Sequence, residues 1–206
     1  MRKLLLALTA AVLTATVSVS AKADSCELSG INTPVTATVE ITSLTNSLLT
    51  FTITNTSTGP ITGKITSLGL DLPGASGPFT LVNSTNPNYT LVENVNGNAA
   101  GINVIFELAL LTGSTFNGGA NPSLGILEGA SATFTISGNF TGFSQQQVLA
   151  GFFARFQDVN FGSGSDVAIC CEPPPSHMPE PATMALLGSG LTGIAMKLRK
   201  RRKRSA

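Results

Sequence analysis

The chain has no Trp, one Tyr and one His among 206 residues, and each shortage removes a class of chemistry. Nucleophile-and-base hydrolysis usually draws on a His beside a Ser or Cys. The single His177 stands in a Pro-rich stretch outside the segments patterned to fold. Zinc is a poor fit for the same reason, because only three Cys accompany that His. A glycosidase needs two carboxylates in a cleft, and with Tyr89 and no Trp little is left to stack a sugar ring. Basic charge is also scarce. Between residues 24 and 178 only Lys64 and Arg155 stand against ten acids, a net of −8. Nucleic-acid binding needs a basic stripe that is absent here. The reading is of a non-enzyme without catalytic residues, metal, cofactor or nucleic-acid partner.

Three weaker patterns are present. Residues 59–65, Gly-Pro-Ile-Thr-Gly-Lys-Ile, mimic a phosphate loop but are one residue short, with Ile65 where a Mg²⁺-coordinating hydroxyl belongs. They read as a hairpin turn. Asp158, Asn160 and Asp166 gather oxygen donors suited to Ca²⁺ with only Arg155 as competing charge, and the alternative is an Arg155–Asp166 ion pair pinning the glycine-rich loop. Asn55, Asn83, Asn88 and Asn139 lie in Asn-x-Ser/Thr sequons that a Thr- and Asn-rich surface produces as by-products.

What is abundant is alternation with a period of two. Val35, Ala37, Val39 and Ile41 interleave with Thr and Glu, and Leu49, Phe51 and Ile53 with Thr, which is the pattern of half-buried strands. A turn cluster at 55–60 leads into a third strand over 61–72, expected to form a hairpin with the second. Further strands are expected at 78–82, 89–95, 102–111, 132–140, 152–157 and 167–171, with one short helix at 144–150. Nine short strands with turns between them predict an antiparallel β-sandwich, a jelly roll being the variant. About 155 residues suffice for one such domain.

The ends of the chain read differently. Arg2-Lys3, an apolar run over 4–17 and the small-residue site Ala21-Lys22-Ala23 form a secretory signal peptide over 1–23, cut before Asp24. No Leu stands where a lipobox before Cys26 would place it, so lipidation is rejected. The exported domain spans 24–171 with Cys26 at one edge and Cys170 and Cys171 at the other. An oxidising compartment permits Cys26 to pair with either, and a strained Cys170–Cys171 bridge is the third arrangement. Residues 172–178 form a Pro-rich, extended linker. Pro179-Glu180-Pro181 follows, then an apolar stretch over 182–196. Lys197, Arg199, Lys200, Arg201, Arg202, Lys203 and Arg204 place seven basic residues in eight positions. By the positive-inside rule that run stays in the cytoplasm and halts transfer. As a helix the apolar stretch rises about 22 Å at about 1.5 Å per residue, against a hydrocarbon core of roughly 30 Å. That suits a weak, temporary transmembrane anchor. Ala185, Ser189 and Gly193 would line one face of it with small residues open to close helix approach.

Taken together, Pro179-Glu180-Pro181, the short apolar span and the Arg-rich end over 179–206 resemble a PEP-CTERM sorting signal. The resemblance implies that a membrane-embedded exosortase recognises the tail, cleaves near the motif and releases or re-attaches the protein at the cell surface. Segments at 61–73, 128–135, 154–157 and 162–166 are similar to stretches recurring in exported parts of such proteins, which implies a scaffold and no activity. The expected role is a surface or extracellular-matrix component, with the membrane as a transient partner and exopolysaccharide as a further one. The alternative is a carbohydrate-binding or calcium-dependent adhesion module.

Overall fold

A computed structural model describes residues 24–162 and 164–170. Ten strands form in chain order: β1 Asp24–Gly30, β2 Thr36–Leu44, β3 Leu48–Asn55, β4 Lys64–Leu70, β5 Ser76–Ser84, β6 Thr90–Gly97, β7 Val104–Leu111, β8 Ser131–Asn139, β9 Phe152–Gln157 and β10 Ser165–Cys170. The expected alternation is visible residue by residue: on β3, Leu49, Phe51 and Ile53 are fully buried while Thr50, Thr52 and Thr54 stand half-exposed between them. Among the described residues the one α-helix, α1 Gln145–Ala150, begins where Ser144 caps it. The Ser144 hydroxyl accepts from the Gln147 N–H at 3.2 Å and the Gln147 side chain accepts from the Ser144 N–H at 2.9 Å, a reciprocal capping box.

All pairings are antiparallel, and the class is all-β as the sequence predicts. The arrangement differs from two facing sheets. One continuous sheet runs β5-β8-β3-β2-β1-β10-β9-β4-β7-β6 and rolls until it is nearly closed. The physical reason is β1, a strand the sequence reading did not expect. It pairs β2 through Cys26↔Val39 and Leu28↔Ala37, and pairs β10 through Leu28↔Cys170 and Gly30↔Ala168. Without it β2 and β10 would each be an edge; with it a four-strand set and a five-strand set become one roll. At the remaining seam the Phe79 N–H of β5 donates to Glu93 Oε1 of β6 at 2.7 Å, so a side chain bridges the gap where ladder bonds are lacking.

A second expectation also fails. Strands β3 and β4 form no hairpin, because β3 lies between β2 and β8 while β4 lies between β9 and β7. The loop at 55–63 crosses from one half of the roll to the other. Asn55, fully buried, holds it: Nδ2 donates to the Gly63 carbonyl at 2.7 Å and to the Ile126 carbonyl at 3.1 Å.

The interior is apolar and aromatic. Phe51 meets Phe152 edge-on at 4.7 Å and Tyr89 meets Phe134 at 5.2 Å. Burial pushes the Tyr89 hydroxyl well above its ordinary pKa, and it stays a donor to the Ile65 carbonyl. Val148 and Leu149 of α1 join this core. A second cluster lies on the opposite face of the sheet. Val95, Phe106, Ala109, Leu111, Phe116 and Val167 are buried together there. Phe106 lies so close over Gly69 that a Cβ at that position would sit 2.6 Å from its ring. Only glycine admits the contact.

Candidate functional site

Strands β1 and β10 are antiparallel neighbours, so the start of β1 and the end of β10 leave from one pole of the roll. Helix α1, linking the end of β8 to the start of β9, packs beside β1 and β2 at that pole. Cys26, almost completely buried, forms a disulfide with Cys170, with Cα atoms 6.0 Å apart. It ties the first strand of the domain to the last. Cys171, Ala21 and Ala23 of the expected signal-peptide site, linker 172–178, Pro179, Glu180, Pro181, the apolar span and the basic run from Lys197 to Arg204 lie outside the described residues. Among the described residues no helix is long and apolar enough to cross a membrane.

The opposite pole holds the turns that the sequence marked as a calcium candidate, and the structure does not bring those ligands together. Asp158 pairs with Lys64 at 2.6 Å. Asn160 Oδ1 accepts from the Thr62 N–H at 2.9 Å, and its amide donates to the Pro60 carbonyl. Asp166 is fully buried and accepts from the Asn32 N–H at 2.8 Å, the Thr33 N–H at 2.7 Å and the Thr33 hydroxyl at 2.8 Å. It fixes the β1–β2 turn. The alternative Arg155–Asp166 ion pair is not formed either. Arg155 Nη2 donates instead to Ser165 Oγ at 3.3 Å, and its Nε has no partner among the described residues. Burial draws the Arg155 guanidinium below its ordinary pKa, opposed by the charge of Asp166.

The phosphate-loop mimic is likewise occupied. The Gly63 N–H, which such a loop would offer to an anion, donates to Glu128 Oε1 at 2.7 Å, so a carboxylate already sits there. Its loop is the crossover described above rather than a hairpin turn. The Asn55 sequon is closed by the amide's own bonds to Gly63 and Ile126.

One surface was not foreseen as a unit. On β3 and β8 the outward side chains form cross-strand hydroxyl pairs: Thr50 with Thr135 at 3.2 Å, Thr52 with Thr133 at 2.8 Å and Thr54 with Ser131 at 2.8 Å. On the adjoining β2, Thr38 faces Thr54 and Glu40 faces Thr52. The Thr alternation was legible in the sequence, but the rows required the register.

Residues 179–202 match the family model described as the PEP-CTERM protein-sorting motif. The C-terminal end of this chain is a PEP-CTERM sorting signal. A PEP-CTERM motif indicates an exosortase-sorted protein, processed by that membrane enzyme, and implies export with a membrane-anchored precursor before surface sorting. No curated protein and no solved structure matches the chain.

Proposed function

We propose that this chain is an exported, non-enzymatic surface or extracellular-matrix protein: a signal peptide over 1–23 commits it to export, and the PEP-CTERM tail over 179–206 delivers its β-domain. The observation that carries the reading is the match over 179–202, joined to a domain whose two chain ends leave from one pole. That geometry leaves the far pole and the flanks of the roll free while the tail is in the membrane. Pro179 lies nine residues beyond Cys170, a reach of at most about 30 Å when extended, so the domain would stand close to the membrane until the tail is cut. The non-enzymatic part draws support from the prior engagement of Asp158, Asp166 and Glu128 in structural contacts.

The test is processing in the native host. Pro179 and Pro181 keep Glu180 extended, and an enzyme cleft would read that shape and charge. Glu180→Gln and Pro181→Ala are each expected to accumulate a heavier, membrane-bound precursor on immunoblots of membrane and extracellular fractions, with the β-domain folded. A plain membrane-proximal spacer would tolerate both changes, so wild-type processing in both variants would reject the sorting mechanism. A glycan-binding adhesion module is the second reading, favoured by the bare hydroxyl face. Its calcium-dependent form has less support, since the oxygen atoms it would use are already committed.

A further inference from the structure

We propose that the outer face of β2, β3 and β8 binds a polysaccharide bearing free amino groups, with Glu40 as its ionic contact. This rests on the reading of the chain as an exported surface protein and names the partner of that surface.

The first argument is the lattice of hydroxyls. Register places Thr38, Thr54 and Ser131 in one row, Glu40, Thr52 and Thr133 in the next, and Thr50 with Thr135 in a third. Side chains on one face of such a sheet recur about every 6.6–6.8 Å along a strand and about 4.7–4.9 Å across strands. A regular grid of this kind suits a repeating polymer better than a single small molecule. Each hydroxyl carries one proton and two lone pairs, so a pair that shares one hydrogen bond still offers a donor and further acceptors to a ligand.

Charge selects the polymer. Glu40 is exposed in the middle row, and the exposed Glu27 lies diagonal to it, since Ser25 is the residue opposite Glu40 and Glu27 opposes Thr38. Neither basic residue of the domain can answer them: Lys64 is held by Asp158 at 2.6 Å and Arg155 is 7% exposed. With a net of −8 over 24–178, the domain repels acidic polysaccharides and a second copy of itself, and attracts a cationic chain. Phe161 is the one exposed aromatic among the described residues, and it sits in the β9–β10 turn, away from this face. Binding would therefore lack ring stacking, be weak per sugar and gain strength from many repeats.

The experiment uses mature protein recovered from the host and measures retention on chitosan, on uncharged dextran and on acidic alginate at low and high salt. Retention is expected on chitosan alone, weakening as salt rises. Glu40→Gln, and separately Thr52→Val with Thr133→Val, are each expected to weaken it about tenfold. Asp71→Asn, which removes one carboxylate elsewhere, and Phe161→Ala are expected to leave it unchanged. The Thr→Val pair replaces both partners of one hydroxyl pair and should fold; a thermal melt checks this, and Thr52→Lys, which blocks the face by charge, is the second variant. No retention on chitosan, retention on alginate, an equal loss in Asp71→Asn, or a loss confined to Phe161→Ala would each overturn the proposal. Correct tail processing without glycan binding would sink this inference alone, whereas binding without processing would sink the sorting reading alone.

Discussion

On β2, β3 and β8 the side chains that point away from the main core are mostly Thr and Ser, whereas on β4, β7, β9 and β10 they are Ser67, Gly69, Ala109, Leu111, Phe153, Arg155, Val167 and Ile169. The first set is half-exposed or exposed. Within the second set Ala109, Leu111 and Val167 are buried under Phe106 and Phe116, with Ala99, Ala100 and Ile102 packed against them. The loop containing Phe116 is tied down where Thr112 donates its N–H and its hydroxyl to the Thr66 carbonyl, each at 3.0 Å. One continuous sheet is therefore bare on one flank and doubly covered on the other. Strands covered on both faces lose the apolar–polar alternation and read as near-continuous apolar runs, as Leu108 to Leu111 do. The difference assigns stability to one flank and leaves the other free to meet a partner.

The largest effect should come from breaking the link between the flanks. The Cys26–Cys170 disulfide closes a loop with a sequence separation of 144 residues and joins β1, next to the hydroxyl-bearing strands, to β10, one of the covered strands. In the chain-entropy model it stabilises the fold by about 5 kcal/mol. Cys26→Ala is expected to lose most of that in urea unfolding of the oxidised protein, and reduction of the wild type should reproduce the loss. If reduced and oxidised wild type unfold at the same denaturant concentration, β1 is held by its ladder alone.

The flanks should then respond unequally to truncation. Phe116 is fully buried with its ring 4.7 Å from that of Phe106, so Phe116→Ala should cost about 3–5 kcal/mol. Thr52→Val with Thr133→Val, on the bare flank, should change stability by less than about 0.5 kcal/mol, because both members of the hydrogen bond are replaced together. Calorimetry of both variants checks the contrast; comparable losses would show that the hydroxyl rows are structural and weaken their claim as a binding face.

Where the chain passes from one flank to the other, Asn55 satisfies two buried carbonyls. Asn55→Ala removes the side-chain donor of the Gly63 carbonyl and the acceptor of the Ser57 N–H, while the Ile126 carbonyl keeps the Ile65 N–H at 3.1 Å; the change is expected to cost about 1–3 kcal/mol, read as a shift in the midpoint of chemical unfolding. A neutral result would mean that water replaces the amide and that the crossover tolerates solvent.

Most strands were legible because Thr alternates with Val, Ile or Phe, and α1 because Ser144 and Gln147 form its capping box. Strand β1 was not, since Asp24-Ser25-Cys26-Glu27-Leu28-Ser29-Gly30 contains no β-branched or aromatic residue and owes its extended form to ladders on both sides. Missing it hid the closure of the roll. The β3–β4 connection was misread because Gly59-Pro60 signals a turn without saying which strands the turn joins. Ligand sets failed for a related reason. Asp158, Asn160 and Asp166 are near in sequence, yet each is claimed by a different segment, Lys64, the loop at 60–62 and the turn at 32–33. The sorting tail was legible because its information is local and linear.

The smallest expected effect tests whether the covered flank also holds electrostatic strain. Asp71 follows β4, and burial, with the nearby charge of Glu107 adding to it, raises its carboxyl above the ordinary value of 3.8. Glu107 itself accepts the Leu72 N–H at 2.6 Å, which fixes its carboxylate near Asp71. The folded chain thus holds the Asp71 proton more tightly than the unfolded one does. The charged form costs stability above the folded pKa, and this cost vanishes as pH falls below the unfolded value near 3.8. Asp71→Asn should therefore stabilise the protein at pH 7 and have little effect at pH 3. Because the group is only half-buried, solvent screening limits the gain to a few tenths of a kcal/mol, about what an exposed charge pair is worth. Urea midpoints of wild type and variant at the two pH values decide it: a loss of stability at pH 7 would mean that the Asp71 carboxylate makes a favourable contact outweighing the repulsion from Glu107.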